Sequence, residues 1–353
     1  MNLAIPEDCA EFRMVRIACG DDAPIPWLRS FLAPEPIDAD GMIAKLHELG
    51  AGWRAPPIEG SPELADALRD ADAFVVERAR VDDETLAAAS PRLRRIVKYG
   101  TDPRNIDLEA CHRCGVEVVS IARETTSQVA DHALMLLLVL ARRFAGPARL
   151  LPGMPTVEIH APSTEEGGHP PTVFNWLGVE GIRALRSQRL AVLGAGEIGR
   201  AVMRRALGFE MDVRYWDVAP IPLLDEKLGV SWIALDKAAS WADAVTLHLP
   251  YAPELTNLVD GAFLERLGPS GLLVNTSRGL LVDLDALIGA LNTGTIAGAA
   301  LDVYPEEPPP RAEELTAVPN LVLTPHVGAG SRWAVFRDVR AVIEALPRGE
   351  IEL

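Results

Sequence analysis

One junction constrains this chain more than any other. Leu190-Ala191-Val192-Leu193 runs directly into Gly194-Ala195-Gly196-Glu197-Ile198-Gly199, and the residues that follow, Arg200 to Leu207, have helical character. An apolar run closed by a G-x-G-x-x-G turn and opened into a helix is the start of a βαβ unit in a parallel sheet. Each glycine has its own reason to be there. Gly194 permits the tight turn, Gly196 lets the backbone approach a pyrophosphate, and Gly199 allows the helix to pack closely on the strand. The first N–H groups of the helix and its positive dipole end then form an anion site that needs no basic side chain. This suits a chain with 34 Lys+Arg against 50 Asp+Glu and a formal net charge of −16.

Gly208 falls where the end of that helix calls for a left-handed residue, and the next apolar run, Val213 to Trp216, ends at Asp217. An acid at the tip of the second strand, roughly 20 residues beyond the glycine turn, is placed to accept hydrogen bonds from an adenosine ribose diol. Its charge repels a 2′-phosphate, and Val218-Ala219-Pro220 offers no Arg or Lys to hold one, so the pattern selects NAD over NADP.

The strand-then-helix rhythm recurs along the chain. Near-continuous apolar runs at Ala244–Leu249, Gly271–Asn275, Ala297–Leu301 and Leu321–Leu323 read as strands covered on both faces. Upstream, runs at Val15–Cys19, Ala73–Val76, Arg95–Lys98 and Val116–Ser120 alternate with helical segments such as Ser61–Arg69 and Asp83–Ala89, the pattern of a parallel sheet with crossover helices. A long helix from about Ser127 to Phe144 leads into a proline-rich loop at Gly146–Pro171, and Arg332–Ala345 is helical with no strand after it. At 353 residues the chain has room for two domains.

Several function classes drop out. The longest strongly apolar run, Ala133 to Ala141, is far short of the ~20 residues that cross a bilayer and reads as a buried helix. The N-terminal stretch MNLAIPEDCAEF has no basic segment followed by an apolar one, so a cytoplasmic location is expected, in which Cys9, Cys19, Cys111 and Cys114 remain thiols. Cys111-His112-Arg113-Cys114 has no second Cys/His pair at zinc-ligand spacing, and no metal site is expected. The acidic balance works against nucleic acid and against anionic membrane surfaces.

Three later segments place polar residues just beyond an apolar strand, where α/β sheets carry their chemistry. They are Asn275-Thr276-Ser277-Arg278-Gly279, Asp302-Val303-Tyr304-Pro305-Glu306-Glu307-Pro308 and Thr324-Pro325-His326-Val327-Gly328. They supply a guanidinium fork able to clamp a carboxylate and a carbonyl, a carboxylate, and an imidazole able to act as acid or base. That set suits reversible reduction of a 2-oxo acid, although each residue taken singly has an ordinary reading as a surface ion-pair partner, a solvated acid or a loop histidine.

In order and spacing, the glycine turn followed by VNTSRG, ALDVYPEEP and TPHVG resembles the D-isomer-specific 2-hydroxyacid dehydrogenase family. KYGTDPRNID from Lys98 to Asp107, QVADH from Gln128 to His132 and His248-Leu249-Pro250 match further family segments. The resemblance implies an α/β fold of two Rossmann-like domains with parallel sheets and an active site in the cleft between them. The substrate domain would be discontinuous, formed by residues 1–129 and 331–353, with an NAD-binding domain over residues 130–330. Arg278 would bind the substrate carboxylate and keto oxygen, His326 would be the general acid/base and Glu307 its carboxylate partner, Glu306 being out of step with Asp302 by one residue. Thr101, Gly194, Gly196, Glu197, Ile198, Gly199, Asp217, Leu249, Thr276, Ser277, Asp302 and Gly328 would lie against NAD. Gly100, Thr101, Asp102 and Arg278 would meet a small anionic substrate, and the chain would form a homodimer with Ala133–Ala141 at its interface. His132 and His248 are expected to do no more than hydrogen-bond within the fold.

One segment departs from the family. Where its loop ordinarily has a second glycine two residues after the first, this chain has Asp102 followed by Pro103, which has no N–H to give. An acid beside a substrate carboxylate weakens binding unless Lys98 or Arg104 pairs with it, which implies an altered or larger substrate. The resulting expectation is an NAD-dependent oxidoreductase moving a hydride between nicotinamide and C2 of a 2-hydroxy/2-oxo acid. The alternatives are an NAD(H)-sensing, corepressor-like interaction protein on the same fold and a phosphite-type dehydrogenase. Formate chemistry is disfavoured, because the family's formate enzymes carry Gln where this chain has Glu307.

Overall fold

Strands that are apolar on both faces must be sandwiched between helices, and the architecture follows from that requirement. The computed structural model describes residues 1–5, 9–33, 38–55, 68–144 and 179–347. The chain divides into two units, Met1–Ser127 with Ser331–Leu353, and Gln128–Gly330.

In the first unit, β1 (Leu3–Ala4), β2 (Ala73–Val76), β3 (Arg95–Tyr99) and β4 (Glu117–Ile121) form a parallel sheet in that spatial order. Around it lie α1 (Ala10–Ala18), α2 (Ile25–Leu32), α3 (Ala39–Leu49), α4 (Asp83–Ala88) and α5 (Leu108–Arg113). The C-terminal helix Arg332–Glu344 belongs to the same unit: buried Asp338 accepts from the Tyr99 hydroxyl at 2.9 Å and from the backbone N–H of Glu124 at 2.7 Å. One strand expectation fails here. Val15–Cys19 lies not in a strand but in and just after α1, because Phe12, Val15 and Cys19 recur at i, i+3 and i+7 and bury one helical face.

The second unit opens with the remainder of α6 (Glu124–Ala141), which starts three residues before the expected Ser127 and ends three before Phe144. Its sheet is parallel throughout, in the order β11-β10-β9-β8-β5-β6-β7. The strands are β5 (Arg189–Leu193), β6 (Asp212–Trp216), β7 (Ser231–Trp232), β8 (Ala244–Leu247), β9 (Leu272–Asn275), β10 (Gly298–Leu301) and β11 (Leu321–Leu323). Helices α7 (Glu197–Gly208), α8 (Pro222–Leu228), α9 (Leu235–Trp241), α10 (Gly261–Leu267), α11 (Leu284–Thr293) and α12 (Ala312–Ala317) connect them. Successive strand residues face opposite cores, as the pleat requires. Ala191, Leu193, Val245 and Leu273 pack with Phe263 and Leu287 on one side, while Leu190, Val192, Ala244 and Val274 pack with Leu136, Leu140 and Val202 on the other.

Helix starts absorb part of the acidic surplus. Asp82, Asp107, Asp260 and Asp283 each accept the backbone N–H three residues on, so each satisfies an orphan donor at a helix N-terminus. At the end of α7 the expectation for Gly208 is corrected: Gly208 is still helical, and the left-handed residue is Glu210, at φ 58°. The turn is set by the N–H of buried Met211 returning to the Ala206 carbonyl at 3.2 Å, which fixes Glu210 rather than Gly208 as the reversal point. Most of the expected Ser61–Arg69 helix and the Gly146–Pro171 loop lie outside the described residues. Among the described residues no helix is long and apolar enough to cross a membrane.

Candidate active site

The glycine turn separates two kinds of constraint. Gly194 has φ +104°, and a Cβ there would stand 2.5 Å from the carbonyl oxygen of His248. A Cβ on Gly199 would overlap the carbonyl oxygen of Gly194, so the first turn of α7 can lie on the strand end only without one. Gly196 is different. It is the N-cap of α7, makes no side-chain cap, and a Cβ built on it meets nothing within 4 Å. Internal packing does not require a glycine at 196, but a pyrophosphate approaching the N–H groups of α7 would. Beside this turn Asp217 is buried at the end of β6, with one oxygen accepting the Ala195 N–H at 2.9 Å and the other the Val218 N–H at 2.8 Å.

Next to β5 in the sheet, the segment after β8 carries His248 and Leu249, both buried. Burial pushes the His248 imidazole down to about 3, so it is neutral. Its Nε2 pairs with Thr246 Oγ1 at 2.9 Å, while its Nδ1 is buried with no partner among the described residues. The hydroxyl of Thr276, just past β9, is likewise buried and unpartnered. Buried polar groups left unmade are costly, and two of them beyond the ends of neighbouring strands, close to an open glycine turn, fit a polar ligand such as a dinucleotide.

Arg278 is aimed by its own loop. The Asn275 side chain accepts the Ser277 N–H at 3.0 Å and donates to the Arg278 carbonyl at 2.9 Å, and the Ser277 hydroxyl donates to the Leu249 carbonyl. The Arg278 side chain is exposed, and its Nη1 also donates to the Ser277 carbonyl at 2.7 Å. Gly279 then brings this loop against the next one, because a Cβ on it would overlap the carbonyl carbon of Tyr304.

The loops after β10 and β11 join at His326. Its Nδ1 lies 2.5 Å from Glu307 Oε2, and the other Glu307 oxygen accepts the Tyr304 N–H at 3.0 Å. The ring is thus held through one nitrogen, leaving Nε2 for proton exchange on a side chain that is 53% exposed. His326 also has a left-handed backbone, at φ 53°, which costs a residue with a Cβ about 1–2 kcal/mol. Asp302 offsets that strain. It is 1% exposed, with one oxygen taking the Thr324 hydroxyl at 2.6 Å and the Val327 N–H at 2.9 Å, and the other taking the Gly328 N–H at 2.8 Å. Burial alone would raise the Asp302 pKa, but hydrogen bonds from His132, Thr324 and the two amides outweigh it and hold the group below the usual carboxylate range.

In the first unit the family-like loop after β3 begins at Gly100, at φ +118°, whose N–H donates to Ile121 at 2.9 Å. Thr101 is exposed, and the Asp102 carboxylate is gripped by Arg104, with Nε at 2.8 Å and Nη2 at 2.7 Å from Oδ2. The charge that set this loop apart is therefore answered two residues along the chain, while the Lys98 ammonium donates to the Glu77 carbonyl. His132 is the residue that pattern reasoning undervalued. It reaches both Thr324 and Asp302 across a long sequence separation, and nothing in its local spacing announces that.

Comparison with known proteins adds to this geometry. The model of the D-isomer specific 2-hydroxyacid dehydrogenase NAD binding domain matches residues 174–328. The glyoxylate reductase of Thermococcus litoralis is 33% identical over 314 residues, covering 88% of this chain and 90% of that protein. Among solved structures, an NAD-dependent formate dehydrogenase from Staphylococcus aureus in complex with NAD is similar with a TM-score of 0.54 and 28% identity, covering 87% of each chain. The D-mandelate dehydrogenase of Rhodotorula graminis is similar with a TM-score of 0.56 and 25% identity, covering 86% of this chain and 88% of that one.

Proposed function

Because the chain belongs to the D-isomer-specific 2-hydroxyacid dehydrogenase family, we propose that it is an NAD-dependent oxidoreductase acting between a 2-hydroxy acid and its 2-oxo acid through Arg278, Glu307 and His326. The observation that carries this reading is the 2.5 Å pair of His326 and Glu307, in the loops after β11 and β10, with β10 lying beside β9, the strand that ends before Arg278. NAD, when bound, supplies or accepts the hydride. The open backbone at Gly196, with Glu197, Ile198 and Gly199, takes the pyrophosphate end, and Asp217 takes the ribose hydroxyls. Leu249, Thr276, Ser277, Asp302 and Gly328 serve the rest of the cofactor, and Gly100, Thr101 and Asp102 are assigned to substrate, with Thr101 also toward NAD.

In the reductive direction His326 gives its Nε2 proton to the carbonyl oxygen, while Glu307 accepts from Nδ1 and keeps the ring from rotating. Arg278 holds the carboxylate and that oxygen together, a fork-on-anion contact that fixes attack geometry. The relatives' names, glyoxylate reductase and D-mandelate dehydrogenase, support small 2-oxo acids as the substrate class. The test is a panel of 2-oxo and 2-hydroxy acids with NAD(H) and NADP(H), followed by nicotinamide absorbance. Steady turnover with NADH and at least one 2-oxo acid is expected. Tight NADH binding with no turnover across the panel would instead favour a cofactor-sensing interaction protein.

The reading carries two further assignments. One is a cytoplasmic compartment, in which Cys9, Cys19, Cys111 and Cys114 would remain thiols. A homodimer is supported by α6, whose inner face is core while Met135 stands 44% exposed and Phe144 59% exposed in an apolar groove of about 410 Å³ shared with Phe209. Light scattering should give a dimer mass, and Met135→Glu should shift the population toward monomer; a monomeric wild type overturns the assignment.

A further inference from the structure

We infer that His132, on α6, is a positioning residue for His326, acting through Thr324 and Asp302. The inference rests on the reading of His326 as the acid/base. Hydrogen counting gives the contact its direction. Thr324 has one hydroxyl hydrogen, and it is donated to Asp302 Oδ1 at 2.6 Å. His132 Nε2 lies 3.0 Å from the same hydroxyl, so the nitrogen must bring the hydrogen and the oxygen must accept. Nε2 is also 3.3 Å from Asp302 Oδ1, so one imidazole N–H faces both acceptors. The chain of donation runs from His132 to Thr324 to Asp302, and Asp302 in turn accepts the N–H groups of Val327 and Gly328.

Those two amides directly follow His326, the residue with the left-handed backbone. Gly328 leaves the carboxylate little room, since a Cβ there would stand 2.9 Å from Asp302 Oδ2. The loop is therefore shaped around one carboxylate, which among the described residues has a single donor from outside the loop. His132 is that donor from the helix side, and it is largely buried, with a side-chain exposure of 12%. Removing it leaves the Thr324 hydroxyl without its donor and Asp302 with one fewer compensating dipole in a dry setting. The loop then loses its fixed reference, and the His326 ring no longer sits squarely on Glu307.

The experiment compares His132→Ala and His132→Gln in the full chain. Gln keeps a side-chain N–H able to reach Thr324, and Ala does not. Deuterium exchange of the peptide covering Leu321–Gly330 is measured without cofactor, together with kcat, KM and the melting temperature. His132→Ala should speed exchange at Val327 and Gly328 and lower kcat by about tenfold, the size of one hydrogen bond to a charged group, with KM for the 2-oxo acid little changed. Exchange in β10 should stay at the wild-type rate, and His132→Gln should recover most of both effects. Unchanged exchange in the Leu321–Gly330 peptide, or a Gln variant indistinguishable from Ala, overturns the proposal. Because the exchange readout needs no turnover, its failure is separable from failure of the acid/base reading, which would show instead as activity surviving in His326→Ala.

Discussion

His326→Ala should lower kcat by about a thousandfold while leaving NADH affinity within twofold of wild type, the range in which a positioned acid/base contributes. The asymmetry comes from where His326 sits. It lies in the loop after β11, with a ring that contacts Glu307 and is otherwise half exposed, whereas the residues assigned to the pyrophosphate and ribose lie around the glycine turn after β5. Glu307→Gln makes the sharper version of the test. Glu307 accepts at both oxygens, from His326 Nδ1 and from the Tyr304 N–H. A Gln has one oxygen and one NH₂, so it cannot serve both donors. If its oxygen stays on Tyr304, its NH₂ faces Nδ1, which then accepts, and the ring is locked in the neutral tautomer with its hydrogen on Nε2. Such a ring gives up that proton far less readily, and kcat should fall by about a hundredfold with substrate KM changed much less. Stopped-flow NADH oxidation under single-turnover conditions reads the proton-coupled step directly. Wild-type rates in either variant would remove His326 and Glu307 from the chemistry.

Much of this was legible because it is local. A turn that must reverse at Gly194 and pack at Gly199 writes its demands into adjacent residues, and unbroken apolar runs at β5, β8, β9 and β10 declare a sheet covered on both sides. Arg278, Glu307 and His326 could be proposed because each follows its strand within a few residues. The misreadings have physical causes. Val15–Cys19 is a short apolar run, and period two cannot be told from period 3.6 over five residues when the helical partner Phe12 lies outside the window. Gly208 looked like a helix stop, but the reversal is decided by a buried Met211 and its bond to Ala206, which allows Glu210 to take the left-handed conformation. The support beneath His326 was not legible at all. His132, Asp302 and Thr324 converge from three elements, and only the folded sheet order places β10 and β11 side by side. The Asp102 problem was visible and its answer was half visible: the sequence offered Lys98 or Arg104, and only the loop geometry shows Arg104 folding back onto the carboxylate.

Gly196→Val and Gly199→Ala should both abolish tight NADH binding, but for opposite reasons that a melt without cofactor will separate. A Cβ at 196 meets nothing within 4 Å in the protein, and the backbone there is already at φ −71°, so the added branch point costs the fold little beyond an N-cap preference of about 1 kcal/mol. What it fills is the approach to the N–H groups of α7. Losing two hydrogen bonds to a charged phosphate, at about 1.5–3 kcal/mol each, predicts at least a hundredfold weaker NADH binding, with the melting temperature lowered by no more than about 2–4 °C. At 199 the added Cβ overlaps the Gly194 carbonyl oxygen, a backbone atom that cannot rotate away. Helix α7 must lift off the sheet, Val202 and Met203 lose their packing against β5, and about 1–3 kcal/mol of stability should disappear before any cofactor is added. Tryptophan-to-nicotinamide energy transfer and thermal melts measure the two quantities on the same samples. Full NADH affinity in Gly196→Val would mean that the dinucleotide does not sit on this turn, and with that the assignment of Asp217 to the ribose would also fall.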